Sequence, residues 1–229
     1  NIHSNPLLPF LPSNLDRSSA FHFTSKLKSP NRVKIPEPVD ENLTIVVDLH
    51  LVGQRVIASM NDVSFVAPRR NSILEAAYFD QVGVFTSDFP PSPAMKFNHT
   101  VKGTKIYKIK YGSVVQVVLQ GSSLLLEEEH PIHLHGYDFY VMGRGIGEFV
   151  MERDGGELNM VDPPKRNTVG IPAGGWTVIR FVANNPGVWL MHCHMEIHHE
   201  WGMAMVFWVE DGVGKMESVR PPPTDLPPC

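Results

Sequence analysis

The hydrophobic and polar pattern of the chain changes near residue 40. Residues 1–40 intersperse Pro6, Pro9, Pro12, Pro30, Pro36 and Pro38 with polar positions. A segment so interrupted cannot sustain a hydrogen-bond ladder, and it predicts an irregular proline-rich linker. From residue 41 onward, short apolar and β-branched runs recur between turn signals. Thr44–Leu51 and Arg55–Met60 read as strands joined tightly at Leu51-Val52-Gly53-Gln54, and Lys105–Lys110 and Val114–Leu119 flank Tyr111-Gly112-Ser113. Asp138–Met142, Asn167–Ile171, Trp176–Val182, Val188–His192 and Ala204–Glu210 continue the series. Gly143–Gly147 reads as loop and Asn184-Asn185-Pro186-Gly187 as a turn. Two helical pieces interrupt the strands. Ser72-Ile73-Leu74-Glu75 has the spacing of a capping box and opens a helix through about Phe79, and a helical turn covers Glu196–Trp201. About eight short strands separated by turns predict an all-β fold, a Greek-key β-sandwich over residues 41–229 behind the linker.

Composition narrows the function classes. With 42% hydrophobic and 19% charged residues, the 229-residue chain can bury a core. A formal net charge of −4 gives no electrostatic reason for nucleic-acid binding. No apolar run approaches the roughly 18–20 residues of a membrane-spanning helix. The start at Asn1 fits a processed or truncated product.

The candidate chemistry lies in histidine and cysteine. Most of the 11 histidines, and one of the 2 cysteines, fall in His130-Pro131-Ile132-His133-Leu134-His135-Gly136 and His192-Cys193-His194-Met195-Glu196-Ile197-His198. In an extended strand His192 and His194 point one way and Cys193 the other, so one ion cannot easily take all three. His133 and His135 likewise share a face, with His130 on the opposite one. The simplest reading is two metal sites back to back. Cys193, His130 and His198 supply a thiolate and two imidazoles, with Met203 placed as a weak axial thioether; this is the blue-copper electron-transfer set. His133, His135, His192 and His194 supply imidazoles only, which suit copper and its oxygen chemistry. A structural zinc site wants four ligands converging on one point, which this alternation does not offer.

These two stretches, with Gly187-Val188-Trp189-Leu190-Met191 leading into the second, resemble the C-terminal copper motifs of multicopper oxidases. The flanks Leu158–Pro163, Arg166–Gly170, Gly174-Gly175-Trp176 and Pro221–Pro227 are most similar to plant laccases, and the likeness covers nearly the whole chain. The resemblance implies a cupredoxin domain over 41–229, with residues 1–40 the passage from the preceding domain. It implies type 1 copper at His130, Cys193, His198 and Met203, type 2 copper at His133, and type 3 copper at His135, His192 and His194. It further implies one-electron oxidation of phenolic substrates, with a part in lignin degradation, coupled to reduction of dioxygen to water. Cys193, His192 and His194 would carry electrons between the sites, Glu196 would move protons to reduced oxygen, and His198, at a turn, would be the more exposed ligand where electrons enter. An unchanged oxygen-reduction rate in Glu196→Gln would remove that role for Glu196; a hydrogen bond to a ligand histidine is its alternative.

Several departures qualify the likeness. The family draws two further His-x-His motifs from an N-terminal domain, and residues 1–129 contain none. This chain therefore reads as a C-terminal part that supplies four of the eight histidines of a trinuclear cluster. Met203 stands where plant laccases typically carry leucine, which leaves ascorbate oxidase as an alternative; a stand-alone blue-copper or copper-storing protein is another. The Leu51–Gln54 connection lacks the longer cysteine-bearing loop of plant laccases. If Cys193 is a copper thiolate, Cys229 is left over; the resemblance ties it to the N-terminal domains, and a free thiol or a 193–229 disulfide is the alternative. The sequons at Asn42 and Asn98 are compatible with a secreted, apoplastic glycoprotein. Glu127-Glu128-Glu129 reads either as a lure for substrates or as a solvated loop. His3, His22, His50 and His199 read as surface or structural residues.

Overall fold

The structure is a computed structural model that describes residues 11–13, 16–94, 100–122 and 128–225. Cys229, Asn98, His3 and Glu127 lie outside the described residues. In chain order the elements are α1 (Arg17–Ser25), β1 (Glu41–Val52), β2 (Arg55–Met60), β3 (Val63–Phe65), α2 (Ile73–Tyr78), β4 (Val101–Gly103), β5 (Ile106–Ile109), β6 (Val114–Gly121), β7 (His130–Leu134) and β8 (Phe139–Ile146). They continue with α3 (Met151–Asp154), β9 (Lys165–Arg166), β10 (Thr168–Ile171), β11 (Gly175–Val182), β12 (Gly187–Cys193), α4 (Glu196–Glu200) and β13 (Ala204–Val209).

The strands form two sheets, ordered β4-β3-β2-β1-β6-β11-β8-β9 and β10-β7-β12-β13-β5. Alternate side chains of each sheet turn inward to a shared core. Leu43, Ile45 and Val47 of β1, Val115, Val117 and Leu119 of β6, and Ile179 and Phe181 of β11 meet Ile132 and Leu134 of β7, Met191 and Cys193 of β12, and Met205 and Phe207 of β13. The larger sheet is also covered outside. Ile35 of the linker packs with Val118, Met142, Trp176 and Val178, so β6 and β11 are buried on both faces.

The sandwich agrees with the pattern of apolar runs, and three details differ. The linker is not irregular throughout: residues 17–25 form α1, capped by Asp16, whose carboxylate accepts from the Ser19 amide at 3.0 Å. None of its residues is buried, so no amphipathic period announces it. Gly143–Gly147 is largely strand, because β8 runs on to Ile146. The glycines there make room for a ring: a Cβ on Gly145 would lie 2.4 Å from the Trp176 indole. Two-to-four-residue strands such as β3, β4 and β9 are too short to show a period. The capping box at Ser72 holds as read, its hydroxyl accepting from the Glu75 amide at 3.0 Å. His50 bonds Ser59 Oγ through Nε2 at 2.7 Å, a structural role.

Candidate metal centre

β7 and β12 pair antiparallel, and their register decides which histidines meet. His133 stands opposite His192, Ile132 opposite Cys193 and Leu134 opposite Met191. Alternation then sorts the side chains: His130, Ile132, Leu134, Met191 and Cys193 turn into the core, while His133 and His192 turn outward. His135 and His194, one residue past each strand, are exposed on the outward side.

Inward, donor atoms of His130, Cys193 and His198 lie within 4.8 Å of one another, and all three residues are buried. α4 returns His198 to this place; its amide donates to the Met195 carbonyl at 3.0 Å, and its carbonyl accepts from the Met203 amide at 2.9 Å. Cys193 Sγ is 3.7 Å from His198 Nδ1. Bonds of about 2.3 Å to sulfur and about 2.0 Å to nitrogen, opened at about 120°, would separate the two donors by that distance. His130 Nδ1 is buried with no hydrogen-bond partner among the described residues. A buried polar atom without a partner needs an explanation, and a metal ion held by two imidazoles and a thiolate is one. Burial, with His198 beside it, lowers the His130 pKa to about 4, which keeps the ring neutral and its lone pair free. Burial also pushes the Cys193 thiol up to about 11, the Glu128 charge adding to it, so a metal must displace a proton there. Met203 is fully buried in the same core cluster, its carbonyl accepting from the Cys193 amide at 3.1 Å.

Outward, the His133 ring lies 4.9, 5.8 and 5.9 Å, centroid to centroid, from those of His135, His192 and His194, and the His192 ring lies 5.2 and 5.8 Å from those of His135 and His194. His135 Nε2 and His192 Nε2 are 3.1 Å apart. Two bonds of about 2.0 Å meeting at about 100° on one ion would place them so. The protons are committed elsewhere. His133 Nδ1 donates to the Asn167 carbonyl at 2.8 Å and His192 Nδ1 to the Cys193 carbonyl at 2.9 Å, leaving both Nε2 atoms as acceptors. Burial and the neighbouring histidines lower the pKa of His192 and His135, favouring the neutral, metal-binding ring.

Two readings of this region need correction. His198 is not the exposed ligand: its side chain is 3% accessible, because Glu128 Oε1 approaches its Nε2 at 3.1 Å and the Trp201 ring lies 5.8 Å away. His199 does not face away as a surface residue; it is half-buried, with its ring 4.8 Å from that of His192. Helical spacing turns Glu196 and Glu200 to the same side as His199, and their donor atoms form a second convergent group. Glu196 itself is exposed.

Set beside known proteins, this arrangement has a family. The family model for multicopper oxidases matches residues 71–213. This chain belongs to the multicopper oxidases. Among its multicopper-oxidase relatives, Laccase-3 of Oryza sativa subsp. japonica is 50% identical over 98% of the chain and 44% of its own length. Laccase-12 of Arabidopsis thaliana is 48% identical over 99% and 45%. The chain thus spans under half the length of the curated relatives it matches. Two solved multicopper oxidases share the fold. The laccase from Botrytis aclada has a TM-score of 0.56 at 22% identity over 78% of this chain and 29% of its own. Fet3p, a multicopper oxidase that functions in iron import, has 0.60 at 21% over 91% and 38%.

Sequence reasoning missed the contacts that three residues make with the clustered histidines. Asn167 and Thr168 orient His133 because β10 lies next to β7, a pairing between stretches 35 residues apart. Glu128 reaches His198 across a separation of 70 residues. The acidic run was visible in the sequence; what it would face was not.

Proposed function

We propose that this chain is the C-terminal copper-binding part of a laccase-type multicopper oxidase. The whole protein would oxidise phenolic substrates one electron at a time and reduce dioxygen to water. One observation carries the reading: strand alternation at 192–194 sends Cys193 inward to His130 and His198 and sends His192 and His194 outward to His133 and His135. Bound there, copper supplies one-electron chemistry at the inner site and oxygen reduction at the outer one. His130, Cys193 and His198 would hold the type 1 ion, with Met203 of the same core as the thioether offered to it; the closed core excludes water and limits rearrangement of the ligands. His133 holds type 2 copper, and His135, His192 and His194 hold type 3 copper. Cys193 is bonded along the main chain to both His192 and His194, the shortest covalent route between the sites. Glu196, exposed beside the outer histidines, delivers protons there. The remaining cluster histidines come from N-terminal laccase domains, to which Cys229 is tied by a disulfide. Relatives that are named laccases favour this reading over ascorbate oxidase, which rests on Met203 alone. The sequons and the laccase relatives support secretion to the apoplast as a glycoprotein, and residues 41–229 as the cupredoxin domain.

The test is copper content, visible spectrum and oxygen uptake of the 229-residue chain. One tightly held copper with an intense blue band and no oxygen uptake is expected, with uptake restored when the N-terminal domains are supplied. A blue chain that such domains never make oxygen-reducing would favour a stand-alone electron-transfer protein. A colourless chain after copper loading would defeat the reading.

A further inference from the structure

The His198 ring edge that carries Nε2 is covered by a carboxylate. Glu128 Oε1 lies 3.1 Å from His198 Nε2, with the His198 side chain 3% and the Glu128 side chain 29% exposed. That oxygen has no accessible surface and no hydrogen-bond partner among the described residues. This oxygen is therefore closed to water and set beside one ring nitrogen. The opposite ring nitrogen, Nδ1, faces Cys193 Sγ at 3.7 Å. Once Nδ1 is committed to a metal, the ring proton must sit on Nε2, the nitrogen that lies 3.1 Å from the Glu128 carboxylate. The neighbouring acid is disposed differently: Glu129 Oε1 is 2.7 Å from Arg144 Nη2, a guanidinium that is itself buried, so its charge is matched locally.

We propose that Glu128 is a positioning residue that sets the redox poise of the inner site. Its carboxylate lies against the Nε2 edge of His198 while Nδ1 faces Cys193, and its negative charge favours the more positively charged, oxidised state of a redox ion held there. The proposal rests on the type 1 copper reading given above. The physical reason is screening: water does not reach this carboxylate oxygen, so on the side facing the ring its field is weakly screened. Covering Nε2 also means that an electron donor from solvent meets Glu128 before it meets His198, which accounts for an acidic pair placed directly before the first histidine motif.

The experiment is a potentiometric titration of the blue band in the copper-loaded 229-residue chain, comparing wild type, Glu128→Gln and Glu129→Gln. Glu128→Gln keeps size and removes charge; it is expected to keep the band and to raise the reduced-to-oxidised ratio at fixed solution potential at least tenfold, a positive shift of about 59 mV for one electron. Glu129→Gln, whose charge is matched by Arg144, is expected to change the ratio less than twofold. An unshifted Glu128→Gln, or an equal shift in both variants, would overturn the proposal, the second outcome marking a general surface-charge effect. If Glu128→Gln does not melt cooperatively, Glu128→Ala is titrated under the same criterion. A wild-type chain without a blue band would defeat the copper reading itself, whereas a blue wild type with an unshifted variant would remove only the role of Glu128.

Discussion

Single residues set the outer histidine face as firmly as the ligands do. Gly136 follows His135 with φ +73°, and a Cβ there would lie 2.3 Å from the Trp189 ring. That ring cannot step aside, because Trp189 Nε1 donates to the Asn185 carbonyl at 2.9 Å while Asn185 Nδ2 donates back to the Gly136 carbonyl at 3.0 Å. Gly136→Ala combines left-handed backbone strain with displacement of a half-buried ring. We expect it to lower stability by about 2–4 kcal/mol, read as a lower urea midpoint at unchanged slope. A loss below about 1 kcal/mol would mean that the turn adjusts without moving Trp189. The same scale explains why the two histidine motifs are so legible: alternation within a strand is a local property, and three consecutive residues at 192–194 already assign themselves to two faces.

At the scale of elements, the sheets are joined by core packing and by a small number of polar ties. Tyr107 on β5 donates its hydroxyl to Glu41 Oε2 at the start of β1, 3.0 Å across the gap between the sheets. Burial, reinforced by that carboxylate, pushes the Tyr107 pKa up to about 12. An unfolded tyrosine titrates near about 10. Between these values the folded chain retains a proton that the unfolded chain has lost, so stability falls as pH rises from about 10 to about 12 and is unaffected below. Tyr107→Phe should make that fall shallower, as measured by urea midpoints at about pH 9, 10 and 11; Tyr137, also raised by burial, keeps the slope from vanishing. Identical pH profiles for the two chains would show that the tie has no energetic weight. The element level is also where sequence reading loses resolution. α1 escaped it because all its side chains stay outside the core. It docks through Thr24, which meets the Arg144 guanidinium, a contact no local pattern encodes.

For the whole molecule, the inner site draws on β7, β12 and α4, segments that are separate in an unfolded chain. A metal held by His130, Cys193 and His198 therefore binds the folded state and adds to its stability by mass action, about 2.7 kcal/mol at a hundredfold excess over the dissociation constant. For a chain of this size that corresponds to a rise in Tm of about 5–11 °C. Calorimetry with and without copper should show it in wild type and less than half of it in Cys193→Ser. An equal rise in both would place the stabilising metal outside the inner site, at the outer histidines.

The sequence by itself determined the β-sandwich, the division of the ligand residues between two faces, and the likeness to a copper family. All three follow from short-range periodicity: two-residue alternation for strands and sides, and fixed spacing within each motif. Tertiary structure alone decided what those residues meet. Whether His133 faces His192 depends on the register of two strands about 60 residues apart, which motif spacing does not contain. Whether His198 is open or covered depends on where Glu128 ends up, and it ends up against the ring. Contacts between distant segments are set by the packing of the whole core, so the ligands were legible one by one and their surroundings were not.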